Sequence, residues 1–263
     1  MGLVIIALTA RWWIRNSIVL AVARIIGVTG VISVLASSTP FPVPTYCIWF
    51  VLWLATSFFP AGRPRRLMVS SFLVLSALLC LLELNHHLYP VIPVTHDQHI
   101  YVIGDSISAG VGSAERNWPL VLGDISRLQV TNLSRPGATA ATALSQEDGI
   151  ALPNSLVLIE VGGNDLLGSA SSDEFSRSLE TLLSGMPHSC SCAMFELPLL
   201  PFHNGYGEAQ RALARKHNVI LIPKKCLASV IGGDGNTLDG LHLSQDGHDA
   251  LARIVFSMLR ITR

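Results

Sequence analysis

The sequence predicts an α/β domain with a five-stranded parallel sheet, preceded by an all-α membrane segment of two to three transmembrane helices. From about residue 99 onward, five short apolar runs alternate with amphipathic stretches, a pattern typical of parallel strands covered by helices on both faces. The first 85 residues instead hold long apolar stretches, six arginines, no lysine and a single acid, Glu83. The rest of the chain has twelve basic and seventeen acidic side chains, so no basic surface indicates a nucleic-acid partner.

Three stretches of the N-terminal segment are candidates for membrane spans: residues 17–37, 43–59 and 67–84. A transmembrane helix needs roughly 17–25 predominantly apolar residues. The first stretch contains Arg24, which would have to snorkel to an interface or face another helix. A cleaved signal peptide fits poorly, because the apolar segments continue past residue 40. A buried helical hairpin in a soluble protein is the competing interpretation.

The arginines also predict the orientation of this segment. Arg11 and Arg15 precede the first stretch, and RPRR at 63–66 lies directly before the last. Because positive charge stays on the cytoplasmic side, the last helix exits the cytoplasm. We therefore expect an integral membrane protein whose α/β domain lies on the extracytoplasmic (periplasmic or extracellular) side.

The change in composition predicts three parts: a membrane anchor at 1–85, a linker at 86–98 and a globular domain at 99–263. The linker contains two prolines, which argue against a continuous helix into the domain. Within the domain, each apolar run is followed by an amphipathic stretch. In chain order these read HIYVIG and NWPLVLGDISRL, LQVTNLS and ATAATALSQ, LVLIEVG and DEFSRSLETLLSG, CAMFELPLL and GEAQRALARKHN, and VILIPKK and SQDGHDALARIVFSMLR.

Polar residues follow several of the predicted strands at the point where each strand ends. Ser106 follows the first strand in VIGDSISAG, SRPGAT (134–139) the second, and GGND (162–165) the third, whereas LDGLHLS (238–244) precedes the last helix. Ligand sites of open parallel sheets lie outside the carboxyl ends of the strands. The four groups are therefore expected to meet at one edge of the sheet.

These residues match the requirements of nucleophilic catalysis. A serine hydroxyl needs a base to remove its proton, and a third group to orient that base. Ser106 is the candidate nucleophile, His242 the base and Asp239 the orienting acid, since a D-x-x-H spacing lets the carboxylate reach Nδ1 of the imidazole. The candidate donors to the oxyanion are the peptide N–H groups of Ser106 and Gly137 and the side-chain amide of Asn164.

GDSIS, Gly137, GGND and DGLH, in this order, resemble the four sequence blocks of the SGNH (GDSL-type) hydrolase superfamily, and are most similar to its thioesterase I, lysophospholipase and arylesterase branch. The resemblance covers roughly residues 99–260. It implies a flavodoxin-like three-layer α/β/α fold. It also implies a catalytic triad of Ser106, Asp239 and His242, with Ser106, Gly137 and Asn164 forming the oxyanion hole.

No cofactor and no metal ion are expected. His86, His87, His96 and His99 lie close together in sequence, but without a carboxylate or cysteine at ligand spacing they indicate a solvated stretch beside the membrane.

Three cysteines lie in the globular domain. In an oxidising compartment Cys226 could pair with Cys190 or with Cys192, or all three could stay free, and the sequence does not choose between these outcomes.

The sequence thus predicts a membrane-anchored serine esterase that hydrolyses acyl esters or thioesters through an acyl-enzyme intermediate. Its expected partners are the membrane and a small-molecule or lipid ester, with lysophospholipid-like substrates favoured by the anchor. The first alternative is an O-acetylesterase or acyltransferase that acts on cell-envelope polysaccharide, since water or a sugar hydroxyl can accept the acyl group. The second is a non-catalytic membrane binding module.

Overall fold

The computed structural model describes residues 28–30, 32, 39–58, 62–111 and 115–262. The chain forms two compact units, Met1–His86 with Leu200–Asn204, and His87–Leu199 with Gly205–Arg263. The first candidate span, residues 17–37, lies outside the described residues except for 28–30 and 32, which are helical.

Within residues 39–86, the described part of the first unit contains the apolar helices α1 (Val43–Phe58) and α2 (Arg63–Leu84). A proline lies in the first turn of α2, where its missing N–H costs no helical hydrogen bond. In the part of the chain that the structure describes, one helix, Arg63–His87, is long and apolar enough to cross a membrane, and Val43–Thr56 is a shorter apolar helix. Of the two to three membrane helices that the sequence predicts, length and composition therefore support one among the described residues.

The two helices pack against each other through a small apolar contact. The rings of Trp49 and Phe72 lie 5.6 Å apart, and Trp49 Nε1 donates a hydrogen bond to Ser76 Oγ at 3.0 Å. Phe72, Ser76 and Leu79 are buried, at the spacing of one helix face. Much of the remaining apolar surface is exposed: Val43, Ile48, Phe50 and Val51 on α1, and Leu67, Leu73, Val74, Leu78, Leu81, Leu82 and Leu84 on α2.

The second unit is built on a five-stranded sheet in which every pairing is parallel, as the sequence predicted. The strands are β2 (Ile100–Gly104), β3 (Val130–Asn132), β4 (Leu156–Glu160), β5 (Ser191–Phe195) and β6 (Ile220–Ile222). Their spatial order is β3-β2-β4-β5-β6.

Helices cover both faces of this sheet and give the three-layer α/β/α arrangement. Alternate strand residues point to opposite faces, so Ile100 and Val102 pack in one apolar cluster, and Tyr101 and Ile103 in the other. The helices are α3 (Ser106–Ala109), α4 (Trp118–Ser126), α5 (Gly163–Leu167), α6 (Ser172–Gly185), α7 (Asn204–Lys216), α8 (Lys225–Ile231) and α9 (Gln245–Met258), with 3₁₀ turns at Asn85–His87 and Thr142–Gly149.

A second, two-stranded parallel sheet pairs β1 (Ile92–Thr95) with β7 (Leu259–Thr262). β1 lies in the stretch that the sequence analysis treated as a linker, and β7 replaces the expected end of the last helix. The pairing forms because Ile92 and Val94 alternate with exposed residues and are fully buried against the cluster around α9. Two apolar residues in a four-residue run are too few for a clear signal in the sequence.

The cysteines that the structure describes, including Cys190, Cys192 and Cys226, are free thiols. The disulfide from Cys226 to Cys190 or Cys192 that the sequence left open is therefore absent. The physical reason is that Cys226 packs in the apolar cluster on one face of the sheet, whereas Cys190 and Cys192 pack against the cluster on the other.

Candidate active site

Ser106 lies at the carboxyl end of β2, as the first residue of the short helix α3. The Asp105 side chain caps this helix, because its Oδ1 accepts a hydrogen bond from the Ile107 N–H at 2.9 Å. Gln146 bonds to both peptide groups of Gly104, at 3.0 Å each, and so fixes the end of the strand. Within the described residues the N–H and the hydroxyl of Ser106 form no hydrogen bond, and the side chain is half-buried. Both groups are therefore available to a ligand.

Asp239 and His242 form a hydrogen-bonded pair in the loop before α9. Nδ1 of His242 lies 2.7 Å from Oδ2 of Asp239. Oδ1 of the same carboxylate accepts from the N–H groups of Leu241 at 3.0 Å and His242 at 2.8 Å. These bonds, the one to the His242 side chain first, lower the pKa of Asp239 to about 2. An ionised carboxylate on Nδ1 selects the imidazole tautomer that leaves Nε2 free to accept a proton.

The position of this loop is fixed on both sides. Leu238 N–H donates to the carbonyl of His242 at 2.8 Å, and Ser244 caps α9 by accepting from the Gly247 N–H at 3.3 Å.

No hydrogen bond joins Ser106 Oγ to His242 Nε2 among the residues that the structure describes. The charge of His242 nevertheless lowers the pKa of Asp105, the residue before Ser106, so the imidazole lies within electrostatic reach of this corner. Catalytic hydrogen bonds are often long in ligand-free enzymes and shorten when substrate binds. The candidate base therefore lies near the corner that holds the candidate nucleophile, without a hydrogen bond between the two among the described residues.

The two further candidate donors also lie at this edge. Gly137 is exposed, with a φ of +76° that favours glycine, and its N–H has no hydrogen-bond partner among the described residues. Asn164 Nδ2 donates to Asp105 Oδ2 at 3.2 Å and to the carbonyl of Ala138 at 3.0 Å. Both amide hydrogens are thus engaged, and the Asn164 amide could donate to an oxyanion only by giving up one of these bonds.

Two acids that the sequence did not single out, Asp105 and Glu160, are buried close to Ser106. Asp105 and Glu160 are each 2% exposed, and Glu160 Oε2 accepts from the Ser108 hydroxyl at 2.9 Å. Burial is the main cause that raises the pKa of both carboxyl groups, and the charge of Asp105 raises that of Glu160 further. The signal that could have found Glu160 is an acid inside the apolar run LVLIEVG, because an acid buried in a sheet needs a partner.

Two other polar residues at the edge have structural roles. Asp165 Oδ2 accepts from the Ala140 N–H at 2.9 Å and so ties α5 to the loop after β3. His248 is fully buried, and its Nδ1 accepts from the Trp118 N–H at 3.2 Å. Among the described residues, no three His, Cys, Asp or Glu side chains are grouped as a metal site.

The comparisons with known proteins agree with this fold. A family model described as "GDSL-like Lipase/Acylhydrolase family" matches residues 102–250. The structure is similar to the psychrotrophic esterase EstA from Pseudoalteromonas sp., solved inhibited by monoethylphosphonate, with 22% identity, a TM-score of 0.56 and coverage of 62% of this chain and 96% of that one. TesA is similar at 25% identity, with a TM-score of 0.55 and coverage of 61% and 97%.

A member of the lipolytic protein G-D-S-L family from Veillonella parvula is 18% identical, with a TM-score of 0.52, and covers 61% of this chain and 97% of its own. No curated protein matches the chain in sequence.

Proposed function

The chain belongs to the GDSL-like lipase/acylhydrolase family and is a serine hydrolase of ester bonds, and from this premise we propose that it is a membrane-anchored esterase whose nucleophile is Ser106. The observation that carries the proposal is the Asp239–His242 pair. Its 2.7 Å contact, together with two peptide N–H groups on the same carboxylate, holds the imidazole with Nε2 free. A surface histidine without a catalytic role does not require a carboxylate that is itself held by two peptide N–H groups.

The proposed reaction has two halves. Ser106 Oγ attacks the carbonyl carbon of the ester as Nε2 of His242 accepts the hydroxyl proton, and the carbonyl oxygen becomes an oxyanion. His242 then passes this proton to the departing alcohol or thiol, which leaves an acyl group on Ser106. A water molecule attacks this acyl-enzyme as His242 takes one of its protons. The bond from the acyl carbon to Ser106 Oγ then breaks, His242 returns the proton to Oγ, and the carboxylic acid is released.

The oxyanion is proposed to bind the free N–H groups of Ser106 and Gly137 and the amide of Asn164. The Ser106 N–H lies in the first turn of α3, where helical N–H groups have no helical partner. The Asn164 amide would exchange its bond to the Ala138 carbonyl for one to the oxyanion. The N–H groups of Ser106 and Gly137 need no such exchange, and donors held in place before the reaction stabilise the transition state without reorganising.

We propose that the anchor includes α2 and that the substrate is an acyl ester with an apolar chain. Leu238 and Leu241, on either side of Asp239, are 55% and 38% exposed, and such exposed leucines beside a catalytic loop suit an apolar ligand. By the distribution of arginines, the hydrolase domain is proposed to lie outside the cytoplasm. A reporter that is active only outside the cytoplasm, fused to the C-terminus, would test this side.

A chain-length series of p-nitrophenyl esters, acetyl to palmitoyl, tests the proposal on the detergent-solubilised full chain. Ser106→Ala is expected to lose at least about 10³-fold in kcat. The matched control is Ser184→Ala at an exposed serine on α6, which should retain native activity. Ser106-dependent activity that peaks at medium or long chains supports a lipid-directed esterase. Activity confined to acetyl favours a polysaccharide acetylesterase or acyltransferase, and no activity favours a binding module.

A further inference from the structure

We propose that Glu160 is a positioning residue, which shares a single proton with Asp105 and through it holds the Asn164 amide at the active site. The inference rests on the proposed function, because Asn164 matters here as an oxyanion donor. Neither carboxyl group is needed for the proton transfers between Ser106 and His242, and the cap that Asp105 forms on α3 leaves Glu160 without an assigned purpose.

Glu160 is placed by the sheet itself. It ends β4 directly opposite Gly104 of β2, one residue before Asp105. Its Oε2 accepts from the Ser108 hydroxyl at 2.9 Å and from the Asp105 N–H at 3.5 Å. Ser108 Oγ in turn accepts from Trp118 Nε1 at 3.1 Å, so the single hydroxyl hydrogen of Ser108 is committed to Glu160. One oxygen of Glu160 is therefore an acceptor, which leaves the other to carry a proton.

Asp105 has the opposite pattern, because both of its oxygens accept. Oδ1 receives the Ile107 N–H at 2.9 Å and Oδ2 receives the Asn164 amide at 3.2 Å. The two buried carboxyl groups are also close neighbours, since the Asp105 N–H lies 3.5 Å from Glu160 Oε2 and each group shifts the pKa of the other. Two neighbouring carboxylates in a buried site cannot both be ionised without a large cost. The proton therefore stays on Glu160 and the charge on Asp105.

The charged groups around the pair are consistent with this assignment. Burial, the largest cause, raises the pKa of Asp105; the Ile107 N–H, Glu160 and the charge of His242 lower it, and the charge of Asp165 raises it. Burial followed by the charge of Asp105 raises the pKa of Glu160 well above its ordinary value. A second negative charge, at Glu160, would add to that of Asp105, which accepts from Asn164, and would oppose an oxyanion. One shared proton therefore leaves Asp105 Oδ2 as an acceptor for the Asn164 amide and limits the charge of the two carboxyl groups to a single negative charge.

The test compares Glu160→Gln with Glu160→Met. Gln keeps one acceptor and one donor, as a protonated Glu160 does, whereas Met keeps the volume but removes both. Glu160→Met is expected to lower kcat about 10²-fold, the size of one lost oxyanion donor, with KM within about threefold of native. Glu160→Gln should keep kcat within about tenfold at neutral pH. Asp234→Asn, at an exposed acid, is the matched control and should retain native kcat.

The pH dependence supplies a readout that packing alone would not move. The pKa of Glu160 is raised in the folded state, so the native protein holds a proton that the unfolded chain has lost above the ordinary glutamate range. Native stability therefore falls as pH rises toward the raised pKa, and kcat falls as this proton is lost. In Glu160→Gln both losses should disappear, measured as Tm and kcat across about pH 5 to 9.

The outcomes separate this inference from the proposed function. Ser106-dependent activity that is unchanged in folded Glu160→Met overturns the inference and leaves the function standing. If Glu160→Met does not fold, identical pH profiles of native and Glu160→Gln protein overturn it instead. A native protein whose activity is the same as that of Ser106→Ala overturns the proposed function and this inference together.

Discussion

Replacing Asp239 with asparagine changes one atom of the proposed triad and little else. In the native loop Oδ1 accepts from the N–H groups of Leu241 at 3.0 Å and His242 at 2.8 Å, and Oδ2 accepts from Nδ1 of His242 at 2.7 Å. An asparagine oxygen can keep the two backbone bonds, so the loop should retain its conformation. The amide NH₂ then faces Nδ1 and cannot accept from it. The imidazole is driven to the tautomer with its hydrogen on Nε2, which cannot take the Ser106 proton.

The expected loss follows from this change of tautomer. In a buried triad the same replacement lowers kcat about 10⁴-fold. The Asp239 side chain is 54% exposed and water competes for the contact, so we expect about 10³-fold, with KM close to native. The assay is steady-state hydrolysis of the best p-nitrophenyl ester, with Asp234→Asn as a control that should stay within about twofold. A folded Asp239→Asn protein that keeps more than about a tenth of native kcat would refute the assignment of Asp239.

Three further predictions concern pH, packing and thiol chemistry. The pKa of Asp239 is lowered to about 2, so its carboxylate stays ionised above the ordinary aspartate range and loses its contact with His242 only as pH falls through about 2. The ratio of native to Asp239→Asn kcat/KM should therefore stay constant between about pH 3 and 5. Gly162 has a φ of +111°, and an added Cβ would lie 2.8 Å from side-chain atoms of Leu197 and Phe175. Gly162→Ala should therefore lower the free energy of unfolding, measured by urea titration, by about 2–4 kcal/mol. A decrease below about 0.5 kcal/mol would contradict the left-handed conformation and close packing at Gly162. Burial raises the pKa of the Cys226 thiol to about 12, so iodoacetamide at pH 8 should alkylate Cys226 only after unfolding, as read by peptide mass spectrometry; rapid labelling of the folded protein would contradict its burial.

The parallel sheet was predictable because each strand is a continuous apolar run. LVLIEVG became β4, buried along its full length, and the polar groups after the strands mark one edge. β1 was not predictable, because Ile92 and Val94 form a strand only by pairing with Leu259 and Ile261 of β7. Such a pairing joins residues far apart in sequence, and a local pattern does not encode it.

The candidate triad was accessible from sequence for a different reason. Asp239 and His242 are close in the chain, and their contact depends on a local loop that the D-x-x-H spacing indicates. The Asp105–Glu160 pair comes instead from the register of β2 against β4, which places Gly104 opposite Glu160. The engagement of both Asn164 hydrogens likewise depends on where the Ala138 carbonyl lies, and no motif contains that information.

The most direct test of Ser106 as the nucleophile is covalent labelling of the folded full chain with a fluorophosphonate, followed by peptide mapping. Such a probe phosphonylates a serine whose proton is removed by a neighbouring base. The account predicts a single adduct on the peptide that contains Ser106, no adduct in Ser106→Ala, and slower labelling in Asp239→Asn. A folded native protein that remains unlabelled, or an adduct on another serine, would contradict it.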